Sequence, residues 1–390
     1  MSGVGRITAG LLGAALAFGA ASAAAAEGVK VGLIYTLSGP PAVLGEQARD
    51  GFLLALEELG GKLGGLDAEV TVVDDELKPD NAVNKAKELV ERDQVDFVVG
   101  PIFSNILMAI MKPVTDSGTI LISSNAGTSN FAGAECNANF FVTSYQNDQN
   151  HEVLGKYAED QGYKRVFLMA PNYQAGKDSL AGFKRHFTGE VTDELYTPLG
   201  QLDFSAELAQ LAASAPDAVF TFMPGGMGVN LVKQYRQAGL ETIPFLSAFT
   251  VDETTLPAQQ DAAVGFFGGA NWAPDMENEA SKAFVAAFEA KYDRVPGTYA
   301  MQAYDAAMLL DSALSATGGD IEDKEALRAA LKAADFQSLR GDFSFGDNHY
   351  PIQDFYLVKV AKREDGRYQT EIAEKVFDDY QDVYATDCSM

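Results

Sequence analysis

The stretch VKVGLIYTLSGPPAVLGEQARDGFLLALEEL, residues 29–59, sets an apolar run (29–36) directly before a Gly/Pro-containing turn and a helical pattern (43–59). Strand, turn and helix in that order predict one unit of a parallel sheet, with a ligand site at the loop. The same alternation continues outward. Strand patterns at 68–76, 95–101 and 119–124 are separated by helical patterns at 79–93 and 105–117, the first opening with Pro79 and an acidic turn. Near-continuous apolar strands between helices predict a parallel sheet covered on both faces.

The pattern then restarts. RVFLMAPN (165–172), EVTDELYT (190–197) and AVFTFMP (218–224) alternate with helical patterns at 175–187, 204–214 and 227–239, and PFLSA and VGFFGGA follow. Long helices are predicted at 278–292, 298–316 and 322–333, and the chain ends in the strand-like GDFSFG and DFYLVKV. The fold class is therefore α/β, with two similar lobes and ligand sites at the carboxyl ends of the strands. The pattern alone leaves open which lobe the final third joins.

Residues 1–26 differ from the rest. One basic residue (Arg6), an apolar stretch over 7–18 and a small-residue tail with A-x-A spacing predict a secretory signal peptide. The alternative, a membrane anchor, needs about 20 apolar residues. The expectation is an exported, periplasmic protein without membrane insertion. Its 55 acidic against 29 basic residues give a net charge of −26, which repels nucleic acid and anionic lipid and says nothing of the ligand. Cys136 and Cys388, in an exported chain, are a candidate disulfide; two separate thiols are the alternative.

Much chemistry is missing. The three histidines, His151, His186 and His349, have no metal-ligand spacing. There is no G-x-S-x-G elbow, P-loop or G-x-G-x-x-G after the first strand, and acids such as Asp74 and Asp75 read as solvated surface. No metal, no cofactor and no catalytic set is expected. What is present are two strand-to-helix loops rich in small and hydroxyl residues. GPIFSNILMAIMKPV (100–114) offers Ser104 or Asn105 as a helix cap, and SSNAGTSNF (123–131) is dense in donors. Facing one cleft, they suit a small carboxylate held by neutral donors; ordinary capped turns would read the same way.

The segments VKVGLIYTLSGPPAVLGEQARDGFLLALEEL, VDDELKPDNAVNKAKELVERDQVDFVVGP and TILISSNAGTSN, followed by APNYQAGKDSLAGFK and VFTFMPGGMGVNLVKQYRQAGL, resemble the leucine/isoleucine/valine-binding protein family over nearly the whole chain after the leader. The resemblance implies a type I solute-binding component of an ABC importer. It implies two Rossmann-like lobes joined by three crossovers near 145–149, 270–274 and 346–352. Lobe 1 would hold 27–147 plus 275–345, and lobe 2 would hold 148–274 plus 346–390. It further implies hinge closure on a ligand, a monomer, and an ABC permease as partner.

Residue by residue, the resemblance assigns the pocket to Leu44; to Ser104 with Phe103 beside it; to Ala126 and Thr128, with Gly127 sharing the role because this loop is one residue longer; and to Tyr173, Pro224 and Gly225. Amino-acid binders of the family place an acid in the loop after FLS to pair with the ligand ammonium. Here LSAFTVDE puts Thr250 there, after Phe249, with Asp252 two positions on. A buried ammonium without an anionic partner costs several kcal/mol. The expected ligand is therefore an organic acid, sandwiched by Phe103, Tyr173 and Phe249 with Trp272 as a further candidate: an aromatic carboxylate such as a benzoate or hydroxycinnamate. A branched-chain amino acid or amide, a chemosensory receptor role, and an exported α/β enzyme are the alternatives.

Overall fold

The computed structural model describes Met1 and residues 28–390. The leader read at 1–26 lies, Met1 apart, outside the described residues. The first sheet has six strands: β1 (Val29–Tyr35), β2 (Lys62–Leu63), β3 (Leu66–Asp74), β4 (Phe97–Val99), β5 (Ile120–Ser123) and β6 (Phe140–Val142). Their order is β2-β3-β1-β4-β5-β6, parallel except for the β2–β3 hairpin. Between them run α1 (Ala42–Glu58), α2 (Pro79–Lys87), α3 (Ser104–Thr115) and α4 (Ser129–Ala132). Helix α1 turns Leu44, Ala48, Phe52 and Ala55 inward, the 3–4 spacing of a helix laid on a sheet.

The second sheet has eight strands: β7 (Arg165–Pro171), β8 (Glu190–Thr197), β9 (Ala218–Thr221), β10 (Phe245–Ser247), β11 (Phe267–Ala270), β12 (Ser344–Phe345), β13 (Pro351–Lys362) and β14 (Tyr368–Tyr380). Helices α5 (Gln149–Asp160), α6 (Gln174–His186), α7 (Ser205–Ser214), α8 (Gly226–Gln237) and α9 (Leu256–Gln259) accompany it, and α10 (Glu279–Tyr292), α11 (Thr298–Ala316) and α12 (Lys324–Ala333) precede β12. Helix α11 packs on α1 so closely that a Cβ on Gly51 would lie 2.0 Å from the Ala300 carbonyl oxygen. Only glycine fits there. Four segments distant in sequence meet at one buried oxygen. The Ser144 carbonyl accepts from Asn271 Nδ2 (3.1 Å), Arg340 Nη1 (3.0 Å) and Gln353 Nε2 (2.7 Å). Asp305 balances the Arg340 charge at 3.0 Å.

The structure departs from the sequence reading at several elements, the short β2, α4 and α9 among them. The helix read over 79–93 ends at Lys87 and continues as one wider turn, Glu88–Arg92. The second sheet is mixed, because β11–β13, β12–β13 and β13–β14 are antiparallel. Strand β14 had no counterpart in the reading. It hydrogen-bonds on one side only, as an edge strand, and its Glu, Lys and Asp residues face solvent, so its apolar signal is weak. Strand β6 and helix α5 were likewise unread; β6 is three residues long. Cys136 and Cys388 are joined in a disulfide that ties the C-terminal tail beside β6.

Candidate functional site

The carboxyl ends of the two sheets face each other across a narrow cavity, closed down to about 20 Å³. Its walls touch at the rim: a Cβ on Gly225 would lie 3.4 Å from Pro41 Cα, and one on Gly226 3.0 Å from Pro40 Cβ. Gly225 also holds φ +65°, a left-handed conformation that disfavours a side chain.

From the first sheet's side come Leu44 on α1, then Ile102, Phe103 and Ser104 after β4, and Asn125 and Ala126 after β5. Ser104 is the first residue of α3, where main-chain N–H groups have no partner inside the helix. It does not cap that helix, as the sequence suggested; Phe103 stands at the cap, with no side-chain bond. The Ser104 hydroxyl instead accepts from Asn147 Nδ2 at 3.1 Å. Asn125 spends its amide on the Ile102 carbonyl (2.6 Å) and the Tyr145 hydroxyl (3.1 Å), pinning both loops.

The second sheet's side is aromatic. Tyr173 enters α6, Phe222 follows β9, Phe249 follows β10 and His151 lies on α5. Phe222 faces Tyr173 (centroids 6.2 Å apart, 18° between planes), His151 (5.0 Å) and Phe249 (6.2 Å); Phe249 stacks on Tyr145 at 5.3 Å and meets Tyr299 at 5.9 Å. Phe249 sits at φ +59°, a conformation costing roughly 1–2 kcal/mol for a bulky residue, and its ring closes this array. Burial pushes the Tyr173 phenol far above its usual range, so it stays a neutral donor. Burial likewise lowers His151 to about 3, leaving a neutral imidazole whose Nδ1 has no partner.

The sequence-derived residues therefore divide. Leu44, Phe103, Ser104, Ala126, Tyr173, Pro224 and Phe249 line the cavity. Gly127, Thr128, Gly225 and Thr250 do not. The Gly127 N–H is occupied by Asn147 Oδ1 (3.0 Å), and a Cβ there would strike the Tyr145 carbonyl oxygen at 1.8 Å. Thr128 opens α4; its hydroxyl is buried and unpartnered. The Thr250 hydroxyl accepts from the Met223 N–H at 2.8 Å and bonds the Thr221 hydroxyl, bracing the loop against β9. Trp272 lies elsewhere: it is fully buried against Phe284, and its Nε1 donates to Ser281 Oγ at 2.8 Å. A flat, rigid residue of that size filled a core position instead.

Asp252 is buried and its carboxyl is raised to about 6 by desolvation. One of its oxygens accepts from Thr254, and the other has no partner. It acts on the Tyr145 and Tyr299 phenols by charge, yet does not line the cavity. Among the described residues no Asp, Glu, Lys or Arg does. Among the described residues no group of three or more His, Cys, Asp or Glu is arranged to hold a metal, and no helix is long and apolar enough to cross a membrane.

Sequence reasoning missed Asn125, Tyr145, Asn147, His151, Phe222 and Tyr299. Tyr145 and Asn147 fall between β6 and α5, and His151 in the first turn of α5, where FFV followed by a polar run is the available signal. Phe222 directly follows β9 within the apolar run AVFTFMP, where one more Phe gives no distinct signal, and Tyr299 stands in the first turn of α11, which the helical pattern over 298–316 matches without marking that residue.

Residues 28–367 match the family model described as periplasmic binding protein. A Leu/Ile/Val-binding protein homolog 6 of Brucella melitensis is 31% identical over 367 residues, covering 90% of this chain and 92% of that protein. Among solved structures, an ABC-transporter solute-binding protein of R. palustris in complex with benzoate superposes with a TM-score of 0.88 at 33% identity, covering 93% of this chain and 100% of that one. A second, from Rhodopseudomonas palustris BisB5 in complex with 3,4-dihydroxybenzoic acid, gives 0.85 at 31% identity, with 91% and 98% covered. The chain belongs to the periplasmic binding protein family, with the two-lobed type I fold.

Proposed function

We propose that this periplasmic binding protein captures an aromatic monocarboxylate, of the benzoate or hydroxybenzoate kind, and presents it to an ABC permease without chemical change. The observation that carries the reading is the cavity's composition: rings from both sides, neutral donors at the start of α3, and no acidic side chain lining it among the described residues. A carboxylate there is met by the Ser104 hydroxyl and by free N–H groups at the start of α3. A flat ring is met by Tyr173, Phe222 and Phe249. An amino-acid ammonium would find no lining carboxylate, and Asp252 lies outside the lining with one oxygen already engaged. Bound benzoates in two similar structures support the same class.

In this reading Leu44, Phe103, Ser104, Ala126, Tyr173, Pro224 and Phe249 touch the ligand, and Gly127, Thr128, Gly225 and Thr250 shape the loops behind them. Residues 27–147 with 275–345 form one lobe, and 148–274 with 346–390 the other. Capture is closure of the lobes about the strands meeting at Ser144. Residues 1–26 direct export, and the protein acts as a monomer. The cavity offers no paired nucleophile and base, so no turnover is proposed.

A thermal-shift panel of benzoate, 4-hydroxybenzoate, a hydroxycinnamate, leucine and valine tests this. A ligand at 100 times its Kd adds about 2.7 kcal/mol. A shift with aromatic acids and none with amino acids is the expected result. A shift with leucine or valine alone overturns the assignment.

A further inference from the structure

Asp178 on α6 is 4% exposed, and all four donors to it are neutral. Ser129 supplies its N–H (3.3 Å) and hydroxyl (2.8 Å), Gln174 its Nε2 (2.8 Å) and Asn147 its Nδ2 (2.8 Å). A buried carboxylate without a cation is costly, and this one stands one residue away from the wall where an anion is expected. Its effect runs through Asn147. The amide oxygen of Asn147 must be the atom that accepts from the Gly127 N–H, and its nitrogen must be the atom that faces Asp178. The Gly127 N–H and the carboxylate together fix which way the amide points, the carboxylate by holding its nitrogen.

The same Nδ2 donates its second hydrogen to Ser104 Oγ at 3.1 Å. Ser104 Oγ then serves as an acceptor toward Asn147, and its own hydrogen has no protein acceptor among the described residues. It is left to donate into the cavity that Ser104 lines. We infer that Asp178 is a positioning residue which, through Asn147, holds the Ser104 hydroxyl as a donor, so that the site prefers a carboxylate to the corresponding primary amide. This rests on the aromatic-acid reading above. A carboxylate offers only acceptors to Ser104. A primary amide has only one acceptor oxygen, so where a carboxylate satisfies both the Ser104 hydrogen and the N–H groups at the start of α3, the amide sets its NH2 against one of these donors.

The test is isothermal titration of benzoate and benzamide against the wild type, Asp178→Asn, Ser104→Ala and the double variant. The negative charge lost with Asp178 itself favours an anion, and does so whether or not the Ser104 hydroxyl is present. The comparison between backgrounds therefore isolates the hydroxyl. The benzoate-to-benzamide preference is expected to fall about tenfold more on Asp178→Asn in the wild-type background than in the Ser104→Ala background. An equal change in both backgrounds overturns the inference and reduces Asp178 to a brace for the fold. If Asp178→Asn does not fold, Asn147→Ala removes the same bond to Ser104 and is read the same way. Wild-type protein that binds no aromatic acid overturns the proposed function together with this inference. Wild-type binding with equal changes overturns this inference alone.

Discussion

The two sides of the cavity are built on opposite plans. The first sheet's side contributes the rings of Phe103 and Tyr145 too, but its loops are tied together by side-chain amides: Asn125 pins Ile102 and Tyr145, and Asn147 pins Gly127 and Ser104. The second sheet's side is made of rings with little hydrogen bonding among them: Tyr173, Phe222, Phe249 and His151. Hydrogen bonds are directional and cost most when left unmade, whereas ring burial is non-directional and scales with area. One side should therefore decide which functional group is accepted, and the other how tightly any ring is held.

Phe222→Ala attacks the second side at its centre. The ring touches three others, so its loss should weaken benzoate and 4-hydroxybenzoate alike by about 2 kcal/mol or more, roughly thirtyfold. Titration of both ligands checks this, and a loss confined to one of them would break the division between the sides. Ser104→Ala attacks the first. Benzoate should lose about 1–3 kcal/mol, while a neutral ring of similar size such as benzyl alcohol should be held nearly as before. Equal losses for acid and alcohol would mean that Ser104 shapes the wall and does not select the ligand.

The two sides were also unequally legible. Parallel strands such as VKVGLIY, buried along their length, announce themselves, and the hydroxyl-rich loops after β4 and β5 followed at once from where those strands end. The rings on the far side were half visible. Tyr173 and Phe249 stood at loop positions, but Phe222 was hidden within an apolar strand, where one more Phe carries no signal. His151 was weighed only as a metal ligand or catalyst, while its role here is that of a neutral ring. Thr250 was read at the position of the ammonium partner. The pattern could not show that its hydroxyl is spent on the Met223 N–H. Edge strand β14 was lost because half of its residues belong to solvent.

Thr250→Ala sharpens the line between lining and support. It leaves the Met223 N–H buried without its acceptor, which costs about 1–3 kcal/mol of stability. Because Thr250 does not line the cavity, the ratio of benzoate to 4-hydroxybenzoate affinity should not move. A lowered Tm with an unchanged ratio is the expected pair of results, and a changed ratio would bring Thr250 into contact with the ligand.

The smallest effect concerns pH, and it too sets one side of the cavity against the other. Next to Asp252, Glu253 is buried and its carboxyl is raised from 4.5 to about 7 by desolvation, then by the charge of Asp252. The folded protein therefore binds this proton more tightly than the unfolded chain does. Stability from this group is lost as pH rises through about 7 and regained as pH falls. Between pH 8 and 6.5 that is worth under about 1 kcal/mol. Asp75, which is buried against the Thr36 hydroxyl and not the solvated surface that its sequence suggests, and Asp148 and Asp252, each raised to about 6, add the same sign at lower pH. Below about 6.5 His151 and His349, lowered to about 3 and 4, oppose them, because the unfolded chain then takes up the protons. The Tm should thus rise slightly from pH 8 to 6.5 and go on rising toward about pH 5.5, because four raised carboxyls outweigh two lowered histidines. Glu253→Gln keeps the oxygen that accepts from the Thr370 N–H and hydroxyl and should remove most of the rise above 6.5. Benzoate affinity should stay flat over the same range, since the groups that line the cavity hold one protonation state throughout: Tyr173 remains a phenol and His151 a neutral imidazole. Affinity that followed the Tm would place a titrating carboxyl within reach of the ligand, and the division into a selecting side and a holding side would no longer describe the site.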